Sequence, residues 1–421
     1  MERISRTRSI CPICGQQLPA ERIQIEDRVY LRRTCPQHGE YSALIWQGPI
    51  DYRVWQGGSL DYTDETLCPT ACGICPDHQQ GTCCVLYAVT NRCDLGCTFC
   101  FANGGDGEDI PLTQAKADIS AIAQQGGPLL QLSGGEPTCR DDLPELIAHA
   151  KAAGCAYVQL NTNGLRLARD AAFLQDCVQA GLSFVFLQFD GIQETVYRRL
   201  RGRPLLQEKL AAIAACARHN LGVVLVPTLV PGVNTDQIGD LLRFACAQSP
   251  QVRGVHFQPV SYFGRYPQAP TDMDRYTLGD LLADIQRQAQ GLLQIENLAP
   301  SHCDHPLCGF HGSFIAEEDG SLTPLTQPGS CACRTTTAER NRNYIGSRWQ
   351  RGPTATTPPT DEMEGFLQKV KERTFTVTAM AFQDAWNLDL ARLRRCSLHV
   401  YHEGKLQPFC AHYLTLGEEK Q

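Results

Sequence analysis

With 421 residues, 22 cysteines and a net charge of −7, the chain is long enough for one large α/β domain with appendages and too acidic overall to capture nucleic acid through a basic face. No apolar run approaches the roughly 20 residues of a membrane span, and arginines lead straight into Cys11, so no transmembrane segment, no secretory signal and a cytoplasmic location are expected. Cysteine at this density in a reducing compartment points to several metal sites rather than to disulfides.

Residues 1–66 open with Cys11-Pro-Ile-Cys14-Gly15 and answer with Cys35-Pro-Gln-His38-Gly39. Each half is a knuckle that presents two ligands from one turn, and Ile23-Gln-Ile25 with Val29-Tyr-Leu31 predicts a hairpin carrying the second knuckle. The Cys3His set of Cys11, Cys14, Cys35 and His38 suits zinc, with a single iron as the other candidate, in a zinc-ribbon or rubredoxin-like module. Nothing nearby offers an acid, a base or an open coordination position, so its expected role is structural or docking. Residues 67–84 then hold Cys68-Pro-Thr-Ala-Cys72-Gly-Ile-Cys75 followed by Cys83 and Cys84. Four thiols saturate a [4Fe–4S] cube, so Cys68, Cys72, Cys75 and Cys83 read as an auxiliary cluster, with zinc as the alternative. Cys84 is left as another fourth ligand or as a buried thiol.

Over residues 85–295 strand and helix alternate six times. The apolar runs 85–90, 129–133, 157–161, 184–189, 223–230 and 254–260 are short and apolar throughout, as strands covered on both faces are. Amphipathic stretches at 113–125, 143–153, 169–180, 204–219, 236–248 and 277–290 separate them. This alternation predicts a parallel sheet curled into a (β/α)6 partial TIM barrel, with chemistry at the carboxyl ends of its strands. The first strand runs into Cys93-Asp-Leu-Gly-Cys97-Thr-Phe99-Cys100. Three thiolates at this spacing can seize three corners of a [4Fe–4S] cube and leave the fourth iron open to chelate an amine and a carboxylate. After the second strand comes Gly134-Gly135-Glu136-Pro137, whose glycines permit close backbone approach to a ligand while Glu136 can accept from an ammonium group. Asn161-Thr-Asn163-Gly164, Gln188-Phe-Asp190-Gly191 and Gln258-Pro-Val-Ser261 end the third, fourth and sixth strands. Polar residues there can bind a ligand or cap a helix.

The remaining residues, 296–421, carry Cys303-Asp-His305-Pro-Leu-Cys308 and, after a hairpin expected at 316–322, Cys331-Ala-Cys333. Four thiols in two pairs after such a barrel resemble the auxiliary-cluster extensions of the radical S-adenosylmethionine superfamily, which implies a second auxiliary cluster, although the tight Cys-x-Cys pair leaves room for one bystander. A Pro- and Thr-rich linker at 350–361, a helix at 361–373 and a hairpin turning at Glu403-Gly404 follow, the last delivering Cys410. Cys396 and Cys410 stay open as ligands or bystanders, while Cys139, Cys155, Cys177, Cys216 and Cys246 read as small buried hydrophobes.

Cys93, Cys97 and Cys100, with Ser133-Gly-Gly-Glu-Pro-Thr138 downstream, resemble the radical S-adenosylmethionine (SAM) superfamily. The order of the N-terminal knuckle, the cysteines at 68–75, the loop at 93–100, the Gly-Gly-Glu-Pro segment, Gln258-Pro-Val-Ser261 and the ending Gln407-Pro-Phe-Cys-Ala411 is similar to the branch containing tetraether lipid synthase and the methanopterin C-methylases. The resemblance implies an enzyme that reductively cleaves SAM and uses the radical for C–C bond formation, C-methylation or alkylation on a small-molecule or lipid-like substrate. It implies one SAM-binding cluster, one or two auxiliary clusters, one zinc or iron, and an external one-electron donor of the flavodoxin or ferredoxin type. It also implies that Glu136 meets the methionine amine, that Asn161, Asn163, Gln188 and Asp190 line the ribose side, and that Phe99 and Gln258 hold adenine. The doubled Cys83-Cys84 departs from that branch and resembles an arsenic-alkylating radical SAM enzyme of arsinothricin biosynthesis, which implies transfer of a 3-amino-3-carboxypropyl group to a thiophilic acceptor such as arsenite. A non-catalytic iron–sulfur electron carrier is the third reading, disfavoured because a carrier has no use for a vacant iron.

Overall fold

The computed structural model describes residues 1–57, 61, 74, 78–126, 128–325, 337–352 and 359–417. Cys68, Cys72, Cys75, Cys331 and Cys333, expected as cluster ligands, lie outside these residues, as does half of the expected linker.

The N-terminal module is a four-stranded antiparallel sheet of Glu2–Ile10, Gln17–Ile25, Arg28–Cys35 and Gly39–Gln47, in sequence order. Alternation along the third strand turns Val29, Leu31, Arg33 and Cys35 inward. The expected hairpin reverses at Glu26, whose φ of 56° is the left-handed geometry of a tight turn.

Six parallel strands then pair in sequence order: Cys84–Arg92, Leu129–Gly134, Tyr157–Thr162, Phe184–Gln188, Gly222–Val226 and Val252–Pro259. The fifth is shorter than the apolar run implied, because Pro227 has no N–H to continue the ladder; Thr228–Leu229 resumes pairing with Gln258 and Pro259. Helices Leu112–Ala123, Leu143–Ala152, Ala171–Gln179, Leu206–Arg218, Ile238–Ala247 and Leu278–Gln288 return the chain between strands. Two shorter helices, Leu165–Arg169 and Glu194–Arg201, were not anticipated. Among the described residues no helix is long and apolar enough to cross a membrane.

The C-terminal residues do not stand apart from this sheet. Thr374–Met380 pairs parallel with the sixth strand and Leu398–His402 parallel with the first, extending six parallel strands by one at each edge. Antiparallel strands Gly309–Ala316 and Lys405–Pro408 lie outside these two. The helix Ala338–Trp349 closes the amino-terminal end of the sheet: Trp349 lies 4.7 Å from the Phe186 ring and donates from Nε1 to Thr376 Oγ1 at 2.9 Å. Gly222 admits it, since a Cβ there would stand 2.2 Å from the Trp349 carbonyl oxygen.

A buried ion pair fastens the N-terminal module to the C-terminal segment. Arg22 donates from Nε to Asp389 Oδ2 at 2.8 Å and Thr7 Oγ1 donates to Asp389 Oδ1 at 2.7 Å, with the two charged side chains only 1% and 4% exposed. Burial works to raise the Asp389 pKa, but Arg22 and Thr7 hold it below the usual carboxylate value. Removing one partner strands a charge out of water, so Asp389→Ala should cost about 3–5 kcal/mol of stability. Glu21→Ala, which breaks partly exposed pairs to Arg3 and Arg32, should cost less than about 1 kcal/mol. Urea unfolding of both variants checks this, and equal losses would contradict the account.

Candidate active site

The thiols of Cys93, Cys97 and Cys100 leave the end of the first barrel strand and line one cavity of about 930 Å³. Backbone contacts fix their loop: Cys93 N–H donates to the Gly105 carbonyl at 2.8 Å, Thr98 N–H to Leu200 at 2.9 Å, and Cys100 exchanges two 2.9 Å bonds with Arg265. Arg265 Nε also donates to the Cys97 carbonyl at 2.9 Å. All three cysteines are free thiols, and burial pushes the Cys93 thiol up to about 12, so a metal must displace its proton on binding. Three soft donors on one loop, with open space on their inner side, fit a [4Fe–4S] cluster that keeps one iron uncommitted.

Phe99, Gly134, Gly135, Glu136, Asn161, Asn163, Gln188 and Gln258 line the same cavity. The two glycines serve first a close crossing within the protein: a Cβ on Gly134 would stand 2.1 Å from the Thr90 carbonyl oxygen, and one on Gly135 2.2 Å from that of Arg92. Glu136 is 2% exposed; its Oε1 accepts from Thr138 N, Thr138 Oγ1 and Thr162 Oγ1 at 3.0, 2.6 and 2.7 Å, whereas among the described residues Oε2 accepts only from Asn163 N, at 2.7 Å. Burial pushes its pKa up, against the pull of these donors. The less occupied Oε2 retains capacity for an ammonium donor.

On the side expected to meet ribose, most polar groups are already engaged. Asn163 Nδ2 donates to Asp94 Oδ1 at 2.6 Å and its Oδ1 accepts from Leu165 N at 2.9 Å, which ties the third strand to the cysteine loop. Gln188 donates to Asp190 and accepts from Lys209 Nζ at 2.9 Å. Asp190 does not reach the cavity: its carboxylate, 0% exposed, takes two 2.7 Å bonds from Arg201. Arg201 lines the cavity in its place. Burial opposes the charge on Arg201, but Asp190 and the neighbouring Cys97 sulfur outweigh it and keep the guanidinium protonated. Nothing in the sequence singled out Arg201, which reads as one of a basic run ending the helix Glu194–Arg201. Lys209, also missed, is fully buried behind Gln188, and burial brings its pKa down to about 8. Asn161 Oδ1 accepts from Gln159 at 2.7 Å, and its Nδ2 has no partner among the described residues.

A second group of thiols faces the far wall. Cys83, Cys84, Cys303 and Cys308 all line the cavity. Cys83, assigned to the cysteines before it, lies within hydrogen-bonding distance of Cys303, assigned to those after the barrel. Cys84 donates to Gln131 Oε1 at 3.2 Å, and Cys308 Sγ accepts from Arg392 Nε at 3.4 Å. Cys396 donates to the Leu398 carbonyl and Cys410 accepts from Gln383 N, and neither lines the cavity.

In the N-terminal module the ligand atoms of Cys11, Cys14, Cys35 and His38 lie within 4.8 Å of one another. His38 Nδ1 stands 3.6 Å from Cys11 Sγ and 3.5 Å from Cys35 Sγ, and Cys14 stands 4.0 Å from Cys35. Tetrahedral ligands at a Zn–S length of roughly 2.3 Å are about 3.8 Å apart, so the four residues fit one zinc. Burial opposes ionisation of Cys35, but the Gln37 and His38 N–H groups and the His38 ring bring it down to about 6.

Two family models match the chain: the radical SAM superfamily over residues 87–245, and the HMPTM N-terminal zinc ribbon domain over residues 3–47. The chain is 30% identical to 7,8-dihydro-6-hydroxymethylpterin dimethyltransferase of Methanocaldococcus jannaschii over 99% of this chain and 94% of that one. It is 31% identical to Fe-coproporphyrin III synthase of Methanosarcina barkeri over 50% of each. Among solved structures, Streptococcus suis SuiB bound to its precursor peptide SuiA superposes with a TM-score of 0.40 at 16% identity, covering 50% of this chain and 45% of that one.

Proposed function

We infer, from the premise that the chain belongs to the radical SAM superfamily and is a radical SAM enzyme, that Cys93, Cys97 and Cys100 hold its SAM-binding [4Fe–4S] cluster. That cluster supplies, when bound, the electron that cleaves the SAM sulfonium to a carbon radical. Glu136 receives the methionine amine of SAM at Oε2, and the Gly134-Gly135 backbone, Phe99, Asn161 and Gln258 shape the rest of its pocket. Gln188, Asn163 and Asp190 act one layer back, holding Lys209, the cysteine loop and Arg201 in place. Trp349 packs at the opposite end of the sheet, against Phe186 and Thr376.

The reaction we propose is C-methylation of a flat, neutral heterocycle of the reduced-pterin kind. The observation that carries it is the cavity lining, where Gln131, Gln159 and His256 present uncharged donors and acceptors and the His256 ring lies 5.4 Å from that of Phe186. His256 bonds through Nδ1 to Thr378 Oγ1 at 2.8 Å, and burial brings its pKa down to about 4, so it is neutral at pH 7. The pterin dimethyltransferase similar over nearly the whole chain supports the same class. A second reading, 3-amino-3-carboxypropyl transfer to a thiophilic acceptor, draws on Cys84, a thiol in the cavity wall with no cluster role assigned. The electron-carrier reading falls with the enzyme assignment.

The contact between Cys83 and Cys303 supports a single auxiliary cluster drawing on both cysteine sets, at the lower end of the one or two that the sequence allows. Cys11, Cys14, Cys35 and His38 hold one zinc in this reading, which places the enzyme in a reducing cytoplasm.

Anaerobic incubation of the reconstituted enzyme with SAM and a strong reductant tests the reaction. The proposal predicts 5′-deoxyadenosine with methionine, and, when a reduced pterin is supplied, a methylated product whose methyl group comes from a second SAM that leaves as S-adenosylhomocysteine, the reductant supplying one electron to each SAM; methylthioadenosine in place of 5′-deoxyadenosine would establish the second reading. Glu136→Ala removes a sheltered charge-assisted hydrogen bond worth roughly 1.5–3 kcal/mol, so SAM should bind about 10- to 150-fold more weakly while the cluster absorbance persists. Glu136→Gln should fall between. Unchanged SAM affinity in Glu136→Ala, read by anaerobic equilibrium filtration, would remove Glu136 from the pocket.

A further inference from the structure

We propose that residues 413–417 form a strap that couples the zinc site of the N-terminal module to the loop of Cys93, Cys97 and Cys100, so that zinc there sets the position of the Cys100 end of the loop. This goes beyond the proposed reaction and rests on reading those three cysteines as the cluster site and Cys11, Cys14, Cys35 and His38 as one zinc site.

One end of the strap sits on the first zinc knuckle. Gly417 N–H donates to the Pro12 carbonyl at 2.9 Å, inside the turn that joins the ligands Cys11 and Cys14. Leu416 covers Gly15, where a Cβ would come within 3.1 Å of the Leu416 Cδ1, and a Cβ on Gly417 would stand 2.6 Å from Ile13 Cδ1. The turn is tied to itself by Cys11 N–H to the Gln16 carbonyl at 2.8 Å and by Gly15 N–H to the Cys11 carbonyl at 3.0 Å. Across the two knuckles Cys11 faces His38 at 3.6 Å and Cys14 faces Cys35 at 4.0 Å, so a tetrahedral zinc between them would lock the turn on which the strap is seated.

The other end reaches the cysteine loop. Thr415 Oγ1 accepts from Gly264 N–H at 2.9 Å and donates to the Tyr413 carbonyl at 3.3 Å. Gly264, at a left-handed φ of 51°, lies so close on the loop that a Cβ would stand 2.6 Å from both the Cys100 and the Phe101 carbonyl oxygens. Its neighbour Arg265 exchanges the two backbone bonds with Cys100. The Tyr413 ring lies 4.9 Å from that of Phe101, which lines the cavity. Thr415 and Leu416 are consecutive, so displacement of the knuckle beneath Leu416 reaches Gly264 through one peptide, and Gly264 and Phe101 pass it to Cys100. The strap is a positioning element and touches no reacting atom.

Hydrogen–deuterium exchange on the reconstituted full chain, read by mass spectrometry over residues 98–103 and 262–266, tests this beside equilibrium SAM binding. Thr415→Val keeps the shape and removes the acceptor of the Gly264 N–H; exchange over 262–266 should rise roughly 2- to 10-fold and SAM should bind weaker by a similar factor, with zinc content unchanged. Thr415→Ser, which keeps the hydroxyl, should restore both. Leu416→Ala lifts the strap from Gly15 without touching a ligand and should speed exchange in both segments. Cys14→Ala opens the zinc site and should do the same while the strands Gln17–Ile25 and Arg28–Cys35 keep their wild-type exchange. Wild-type exchange in both segments of Cys14→Ala would overturn the coupling to zinc. Where those strands open as well, Thr415→Val and Leu416→Ala decide, and wild-type exchange over 98–103 in both, or unchanged SAM affinity in Thr415→Val, would overturn the proposal. Retention of SAM binding after alanine replaces Cys93, Cys97 and Cys100 would instead remove the cluster reading, and the exchange rates would still judge the strap.

Discussion

The site depends on one close crossing of backbone. Gly135 and Glu136 donate their N–H groups to the carbonyls of Thr90 and Arg92 at 2.8 and 2.7 Å, so the turn after the second strand lies directly on the end of the first. No side chain fits between them, because any Cβ on Gly134 or Gly135 would enter the carbonyl oxygens beneath. The crossing brings Glu136, at the end of one strand, to the same cavity as the thiols of a loop that begins at the end of another. Thr162, the last residue of the third strand, and Asn163 after it then orient the Glu136 carboxylate, and Asn163 bonds onward to Asp94 in the cysteine loop. Cluster loop, carboxylate and third strand form one hydrogen-bonded unit.

Around that unit two buried ion pairs hold the chain in place. Arg201 with Asp190 stands beside Cys97, and Arg275 with Asp384 secures the segment after the sixth strand, each pair with both side chains at most 6% exposed. The C-terminal segment carries a further chain of contacts from the N-terminal module inward: Arg22 to Asp389, and, three residues on, Arg392 to Cys308. The zinc-type module is therefore braced against the same segment that supports the thiol wall opposite the cluster loop. Replacing a member of such a pair leaves its partner desolvated and alone, which costs more than the pair contributes.

What local pattern encodes was legible in the sequence. The thiol spacing at 93–100, the six apolar runs, the knuckles at 11–14 and 35–38 and the hairpin at Glu403-Gly404 are short-range signals, and each lies in the element it implied. The parallel pairing of the two C-terminal strands was not legible: Leu398–His402 pairs with a strand some three hundred positions earlier, and pairing at that separation leaves no mark between the partners. Asp190 sits at a strand end where a ligand carboxylate also would, and only burial shows that it holds Arg201 instead. Arg201 in turn is indistinguishable by type from its exposed neighbours Arg198 and Arg199.

The central claim is that the cluster at Cys93, Cys97 and Cys100 keeps an iron free for SAM. Pulsed electron paramagnetic resonance of the reduced enzyme with SAM carrying nitrogen-15 in its amino group tests it most directly. The account predicts a hyperfine coupling between that nitrogen and the cluster, retained when the far-wall thiols Cys83 and Cys303 are replaced by alanine and lost when Cys93, Cys97 and Cys100 are. A reduced cluster signal from the wild-type enzyme with SAM bound but no nitrogen-15 coupling would contradict it.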